Sequence, residues 1–158
     1  MAENKKNENK IEVEQPEGVM IHSQYIKDLS LELPLAPEVF NEMGQSKNPN
    51  VNIDIAIKTR SLDKDVYEVA LTAKMDADVN SKKLFILELT YACAATVRIP
   101  EEHVEPVLYI ELPRMLFPFV RSIIANNLSA AGLPPLLISP IDFAALYSAR
   151  KAKEAEKK

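Results

Sequence analysis

Glycine is scarce in this sequence and tryptophan is absent. Only three glycines, Gly18, Gly44 and Gly132, occur among 158 residues, and they lie far apart. A phosphate-binding loop or a dinucleotide-binding fingerprint needs several glycines within a few positions, because the backbone must approach the phosphates closely. The sequence therefore excludes both motifs and indicates a protein without a nucleotide-driven step.

Cysteine and histidine are equally rare. The single cysteine, Cys93, cannot form an internal disulfide and fits a reducing compartment, and together with two histidines it provides no zinc framework. We interpret Cys93 as a buried structural thiol. His103, between Glu102 and Glu105, leaves a metal or general-base role as one alternative, but the favoured interpretation is a solvated turn. We predict no catalytic residue, no metal site and no cofactor.

Long apolar runs and a strong charge are also missing. Charged residues and prolines interrupt the apolar stretches before they could span a bilayer, and the polar start MAENKKNENK predicts no secretory signal. The net charge is −4, with a basic excess in residues 149–158. Nucleic-acid affinity comes mostly from Lys and Arg on phosphates. We therefore expect a cytoplasmic protein with no membrane insertion and no nucleic-acid partner.

The chain is long enough for one domain, because about 150 residues can bury roughly 68–70% of the unfolded surface. Residues 1–18 are rich in Lys, Asn and Glu and nearly lack large apolar side chains, so we predict a disordered tail. Residues 19–148 carry the apolar patterns of a folded domain. Residues 149–158 form a charged end, either helical or frayed.

Apolar and polar residues alternate in four stretches, which is typical of strands with one buried face. The stretches are DLSLELP, VNIDIAIKTR, VYEVALTAKMDADV and LFILELTYACAATV. Short turns between the last three predict an antiparallel meander. The connection after the first strand, from Pro34 to Asn50, is long enough to cross over, and APEVFNEM in it could form one helical turn.

The apolar period becomes helical after RIPEEHVEP. With Pro118 placed in the first turn, an apolar face covers about half the helix on a wheel of ~100° per residue, and Gly132 ends the helix. Ser139 or Asp142 could cap a second helix. The sequence thus predicts an α+β fold, with both helices on one face of a four-stranded antiparallel sheet. The apolar surplus on the first helix predicts a homo-oligomer.

Three segments together resemble the SecB family of bacterial protein-export chaperones. They are QYIKDLSLELPLAPEVF, DVYEVALTAKMDA and LFPFVRSIIANNLSAAGLPPLLISPIDFAALY, and the resemblance covers essentially residues 20–148. It implies a cytoplasmic homotetramer, a dimer of dimers, that holds unfolded precursor proteins without ATP and passes them to the SecA motor. The chain differs from the best-known members in lacking a tryptophan in the crossover loop and in ending on KAKEAEKK.

The resemblance also implies three sets of site residues. The positions that bind SecA match Asp28, Glu32, Ile86 and Glu88, all with outward parity on their strands. The client peptide groove matches Phe40, Phe143, Leu146 and Tyr147. The first helix matches the one between dimers, which implies an oligomer interface at Leu116, Phe119, Val120, Ile123 and Ile124.

Two other functions remain open at this stage. A small enzyme could have a pocket beneath the long loop, although no cluster of acid, base and nucleophile supports it. A chaperone of the same fold could instead serve a toxin–antitoxin system, which would keep the fold and change the client.

Overall fold

The computed structural model describes residues 16–45 and 48–157, so most of the predicted N-terminal tail lies outside the described residues. The chain forms an α+β fold with a single four-stranded sheet. The elements, in chain order, are β1 Gly18–Glu32, α1 Val39–Gln45, β2 Asn50–Asp63, β3 Val66–Val79, β4 Lys82–Arg98, α2 Glu101–Pro106, a π-helical segment Val107–Glu111, α3 Leu112–Ala130 and α4 Phe143–Glu156. The predicted fold class is confirmed.

The sheet has the strand order β1-β4-β3-β2, and every neighbouring pair is antiparallel. The predicted meander of β2, β3 and β4 is confirmed, and the segment that contains α1 crosses over from one sheet edge to the other. Asn80 and Ser81 join β3 to β4 and both have positive φ. A two-residue hairpin turn of that geometry matches the right-handed twist of the strands.

The first strand is longer than the alternation predicts. It begins at Gly18, whereas the clear apolar alternation begins near Asp28. The register with β4 shifts between Ile21 and Ser23 and again between Ile26 and Asp28. Each bulge reverses the parity of the residues that follow, so no single alternation runs through the strand.

The core lies between α3 and the middle of the sheet. Residues of β3 and β4 with the predicted inward parity, such as Leu71, Met75, Leu87 and Leu89, are at most 2% exposed. The edge strand β2 is covered less completely, because α3 contacts β3 and β4. Ile53, predicted to face inward, therefore remains 41% exposed.

The helical run begins much earlier than predicted. It starts after Pro100, so PEEHVEP is mostly helix α2 and not a solvated turn. Pro118 is correspondingly not in a first turn but in the interior of α3. A proline there removes one backbone hydrogen bond and displaces the carbonyl four residues earlier. Pro118 and Arg114 are exposed, so solvent can hydrate the carbonyl that has lost its partner.

The predicted end of this helix is confirmed. Gly132 has φ of 82°, a left-handed conformation in which a side chain would be strained. Its amide donates to the Ser129 carbonyl at 3.1 Å, and the amide of Leu133 donates to the Leu128 carbonyl at 3.0 Å. These two bonds define a Schellman cap.

Of the two predicted caps for α4, the structure uses Asp142. Its carboxylate accepts a hydrogen bond from the amide of Ala145 at 3.0 Å. Helix α4 then continues to Glu156 through the charged end of the chain. None of the helices in residues 16–45 and 48–157 is long and apolar enough to cross a bilayer.

Candidate protein-binding surfaces

The side of the sheet opposite α3, which we call the outer face, brings together the four residues predicted to bind SecA. Glu32 lies directly opposite Ile86 across the β1–β4 ladder. Glu88 lies opposite Ser30, and Asp28 lies opposite Thr90, on the same two strands. Directly paired residues share one face of a sheet. Asp28, Glu32 and Ile86 are exposed, Ile86 to 44%. The four residues therefore form one continuous surface.

Carboxylates dominate this end of the outer face, which we call the acidic half. It contains Asp28, Glu32, Asp54, Asp76, Asp78 and Glu88, against the two cations Lys74 and Lys83. The Lys83 ammonium lies 2.7 Å from Asp76 and 3.0 Å from Asp78, and its hydrogen bond lowers the pKa of Asp76. With six carboxylates against two cations, the acidic half carries a negative excess.

The other end of the outer face contains a buried carboxylate that the alternation did not reveal. Glu68, on β3, is only 6% exposed. It accepts hydrogen bonds from the Lys27 ammonium at 2.6 Å and the Tyr25 hydroxyl at 2.6 Å, and from Arg60 at 3.3 Å. Side chains of β1 and β2 thus converge on one carboxylate of β3.

These hydrogen bonds shift the pKa of both groups away from neutral pH. The bond from Lys27, followed by that from Tyr25, lowers the pKa of Glu68 to about 2. Burial, together with the hydrogen bond to Glu68, raises the pKa of Tyr25 to about 12. Glu68 is thus a carboxylate and Tyr25 a neutral phenol over a wide pH range around neutrality, and a hydrogen bond to an ionised acceptor is roughly twice as strong as a neutral one.

A groove lies on the helical side of the sheet, along its β2 edge. It has a volume of about 160 Å³ and is lined by Ile55, Ile57, Tyr109, Leu146, Tyr147 and Arg150. The rings of Tyr109 and Tyr147 are stacked with centroids 6.2 Å apart, and the Arg150 guanidinium lies 3.8 Å above the Tyr109 ring. An aliphatic floor and an aromatic wall suit an apolar side chain of another polypeptide.

The predicted groove residues are only partly brought together. Leu146, 39% exposed, and the half-buried Tyr147 line the groove. Phe40 lies instead beside Gly132 at the end of α3, where an added Cβ would stand 3.6 Å from its ring. The prediction of Phe143 as a groove residue was wrong. Phe143 is 1% exposed and packs edge-on to Phe117, with ring centroids 6.0 Å apart. Its side chain belongs to the core.

Tyr109 is a groove residue that the sequence did not reveal. It lies in the π-helical segment, and its hydroxyl hydrogen bonds to Thr59 of β2 at 2.9 Å. A π-helical turn contains an extra residue and breaks the 3.6-residue period, so a helical wheel cannot place the side chains beyond it. Such turns are frequent at functional sites. The π-helical segment therefore points to Tyr109, but only after the structure has shown that the segment exists.

The predicted oligomer interface also needs correction. Leu116, Val120 and Ile124 are completely buried against the chain's own sheet, so they have no surface left for a second copy. Ile123 is half-buried. Phe119 remains 47% exposed and stacks on Tyr91 with centroids 5.8 Å apart.

Two further features of α3 lie outside the core stripe. Met115, one turn before Phe119, is 54% exposed and extends the same apolar patch. The Nε of Arg121 is buried and has no hydrogen-bond partner among the described residues. A buried donor without a partner is costly. At about 100° per residue, Arg121 lies about 160° from Phe119 around α3, so the two features are on opposite flanks of the buried stripe.

The remaining candidates for metal or acid–base chemistry are not brought together. In residues 16–45 and 48–157, no group of three or more His, Cys, Asp or Glu side chains could hold a metal ion. His103 lies exposed on α2. Cys93 is buried, and burial raises the pKa of its thiol, as expected of a structural cysteine.

The sequence matches a known protein family over most of its length. The family model described as "Preprotein translocase subunit SecB" matches residues 12–154. The chain is 49% identical over 135 residues to the protein-export protein SecB of Paramagnetospirillum magneticum, covering 85% of this chain and 86% of the relative. It is 44% identical over 133 residues to that of Rhodospirillum rubrum, covering 84% and 81%.

A solved structure supports the fold independently. The SecB-like chaperone Rv1957 of Mycobacterium tuberculosis, in complex with a ChAD peptide from the Rv1956 HigA1 antitoxin, matches with a TM-score of 0.64 and 11% identity. The match covers 78% of this chain and 90% of that one. By its family model and its curated relatives, the chain belongs to the SecB family of protein-export chaperones.

Proposed function

We propose that this protein binds unfolded precursor proteins in the cytoplasm without ATP, keeps them competent for translocation and delivers them to the SecA motor. The observation that carries the proposal is the separation of two surfaces on opposite sides of one sheet. The groove at Tyr109 and Tyr147 offers apolar contacts, and the acidic half of the outer face offers charge. A client and the motor can therefore bind at the same time.

The groove is suited to weak, unselective binding. Burying about 100 Å² of apolar client surface in it contributes about 2.5 kcal/mol before the entropy of ordering a flexible chain is subtracted. Several linked grooves compensate, because a long client bound at one of them has a high local concentration at the next. Unfolded chains then bind and compact native proteins do not, which shifts the folding equilibrium by mass action.

The proposed homotetramer would place four such grooves on one particle. Its support is the exposed apolar patch of Met115 and Phe119 on α3, which the chain's own fold leaves uncovered. A second copy could cover this patch. Two-fold symmetric contacts between identical surfaces are the commonest interfaces of homo-oligomers.

Export is favoured over a toxin–antitoxin client by sequence distance. The two relatives described above, at 49% and 44% identity, are both protein-export proteins. The chaperone bound to an antitoxin peptide shares 11% identity and supports the fold alone.

The holding activity is tested by light scattering of a chemically denatured precursor diluted into buffer. We expect the protein to suppress aggregation without ATP when its concentration matches that of the precursor, because each apolar segment held in a groove is withdrawn from self-association. The same instrument gives the molar mass of the free protein, expected to be four times that of one chain. A single-chain mass together with unchanged aggregation would contradict the proposal.

Delivery to SecA is tested by reversing charge on the acidic half. The double variant Asp28→Lys/Glu32→Lys should weaken SecA binding by at least tenfold at low salt, because each reversal replaces an attraction by a repulsion worth up to about 1 kcal/mol. Client binding should be unchanged. Titration of labelled SecA against each variant measures the first, and titration of a denatured precursor the second.

The matched control is Glu101→Lys/Glu102→Lys, an equal charge change on exposed residues of α2. It should leave both affinities within twofold of the parent. If the control weakens SecA binding as much as the Asp28 and Glu32 reversal, net charge and not the acidic half is responsible. Equal loss of SecA and client binding in the test variant would point to misfolding.

A further inference from the structure

Cations surround Glu68 at the end of the outer face away from the acidic half. Lys27 and Arg60 pair with Glu68, and Lys58 lies nearby on the same groove; we call these four residues the basic half. Lys58 and Arg60 occupy alternate positions of β2, opposite Ala70 and Glu68 of β3. The outer face therefore carries opposite charges at its two ends.

The basic half has a positive excess, because it contains three cations and one carboxylate. Glu68 is bonded to Tyr25, Lys27 and Arg60, so its single charge is shared between two cations. Lys58 has no ion pair within 4 Å among the described residues. Lys27 and Arg60 are held in place, 45% and 63% exposed, and can still contact a partner.

The two halves share one concave surface. A shallow groove of about 690 Å³ crosses the outer face and is lined by Lys58, Arg60 and Glu68 at one end and by Asp54, Lys74 and Glu88 at the other. Ala56 and Ala70 form part of its floor. These small side chains leave room for an extended backbone to approach the sheet.

We propose that the outer face binds one extended polypeptide segment that carries a basic stretch and an acidic stretch, with the basic stretch on the acidic half and the acidic stretch on the basic half. The inference rests on the proposed function, because it adds a second contact to the surface assigned to the motor. The two contacts would fix the orientation of the segment as well as its affinity.

The spacing of the charges defines the partner further. Asp54 and Lys58 are four positions apart on β2, which is about 13 Å at roughly 3.3 Å per residue. This exceeds the Debye length of about 8 Å at physiological salt, so the halves act as separate electrostatic sites. The partner's opposite charges must then lie about four residues apart when extended. A polyanion such as nucleic acid fits poorly, because the acidic half repels phosphates.

Two synthetic peptides of identical composition test the proposal. The block peptide has three Lys or Arg residues, a Gly/Ser spacer of three residues and three Glu or Asp residues; the mixed peptide alternates the same charges. Both carry a fluorophore and are titrated by anisotropy at about 0.15 M salt, where the two halves are screened from each other. The block peptide should bind about tenfold more tightly, because only it can satisfy both halves.

Lys58→Glu should remove most of this preference, reducing it to about twofold or less. The matched control Lys153→Glu makes the same charge change at one exposed residue of α4 and should retain the preference for the block peptide. Equal affinities of the two peptides, or an unchanged preference in Lys58→Glu, would overturn the inference. So would an oligothymidine probe that displaces the block peptide.

A third peptide, with only the basic block, separates this inference from the proposed function. If it binds and Asp28→Lys/Glu32→Lys abolishes its binding, while the block peptide gains nothing over it, the acidic half stands and the bipolar surface fails. If the basic-block peptide does not bind at all, both the bipolar surface and the assignment of the acidic half to the motor fail.

Discussion

Phe143→Ala is expected to destabilise the fold by about 3–5 kcal/mol, the usual cost of removing a buried phenylalanine ring. The ring is 1% exposed and packs against Phe117 of α3. It is also the first residue of α4, directly after the Asp142 cap. Since a domain of this size has a total stability of about 5–15 kcal/mol, the loss is a large part of it.

The expected consequence reaches the groove, because α4 carries Leu146, Tyr147 and Arg150. Loss of its anchor should increase local opening of α4 and weaken client binding. Urea unfolding followed by far-ultraviolet circular dichroism measures the stability, since the chain has no tryptophan. A variant within about 1 kcal/mol of the parent would contradict the burial on which this expectation depends.

Tyr147→Ala provides the contrast. Tyr147 is half-buried and stacks on Tyr109 at the groove surface, so its removal should cost only about 1 kcal/mol of stability. Client affinity should nevertheless fall severalfold, because an aromatic wall of the groove is lost. If client affinity in the two variants simply follows their stability, the groove is not the client site.

The contrast between Phe143 and Tyr147 shows where sequence reasoning was insufficient. Both lie on one apolar stripe of α4, and a stripe gives the relative angles of its residues without saying which neighbour each one meets. The same problem affected α3. Leu116, Val120 and Ile124 repeat every four residues and face the sheet, whereas Met115 and Phe119 repeat at the same spacing on an exposed row.

The strands were predicted more accurately because a period of two leaves only two faces to choose between. Asp28, Glu32, Ile86 and Glu88 thus lie together on the outer face, as their parity indicated. Glu68 has the same outward parity, yet it is buried. Its burial depends on Arg60 of the neighbouring strand β2 and on Tyr25 and Lys27 of β1, which reach it across β4. Lys27 lies at a register shift that no alternation reveals.

Glu68→Gln is expected to cost about 2–3 kcal/mol at pH 7, because the ion pair with Lys27 is lost. Lys27 and Tyr25 also donate to different oxygens of Glu68, and glutamine offers only one amide oxygen in their place. Glutamine preserves the volume, and Lys27 and Arg60 remain partly solvated, so no buried cation is left behind. The matched control is Glu111→Gln, which removes an exposed carboxylate paired with Arg114 at 3.1 Å. Its effect should stay below about 0.5 kcal/mol.

The pH dependence distinguishes this explanation from a simple packing defect. The pKa of Glu68 in the folded chain is about 2, below its ordinary value, so the folded state binds the proton less tightly than the unfolded state. The carboxylate therefore contributes its full stability above about pH 5 and loses it as the pH falls towards 2. Urea midpoints measured at pH 7, 5 and 3 should show the gap between the parent and Glu68→Gln narrowing with acid. A gap of constant size would mean that the charge of Glu68 does not stabilise the sheet.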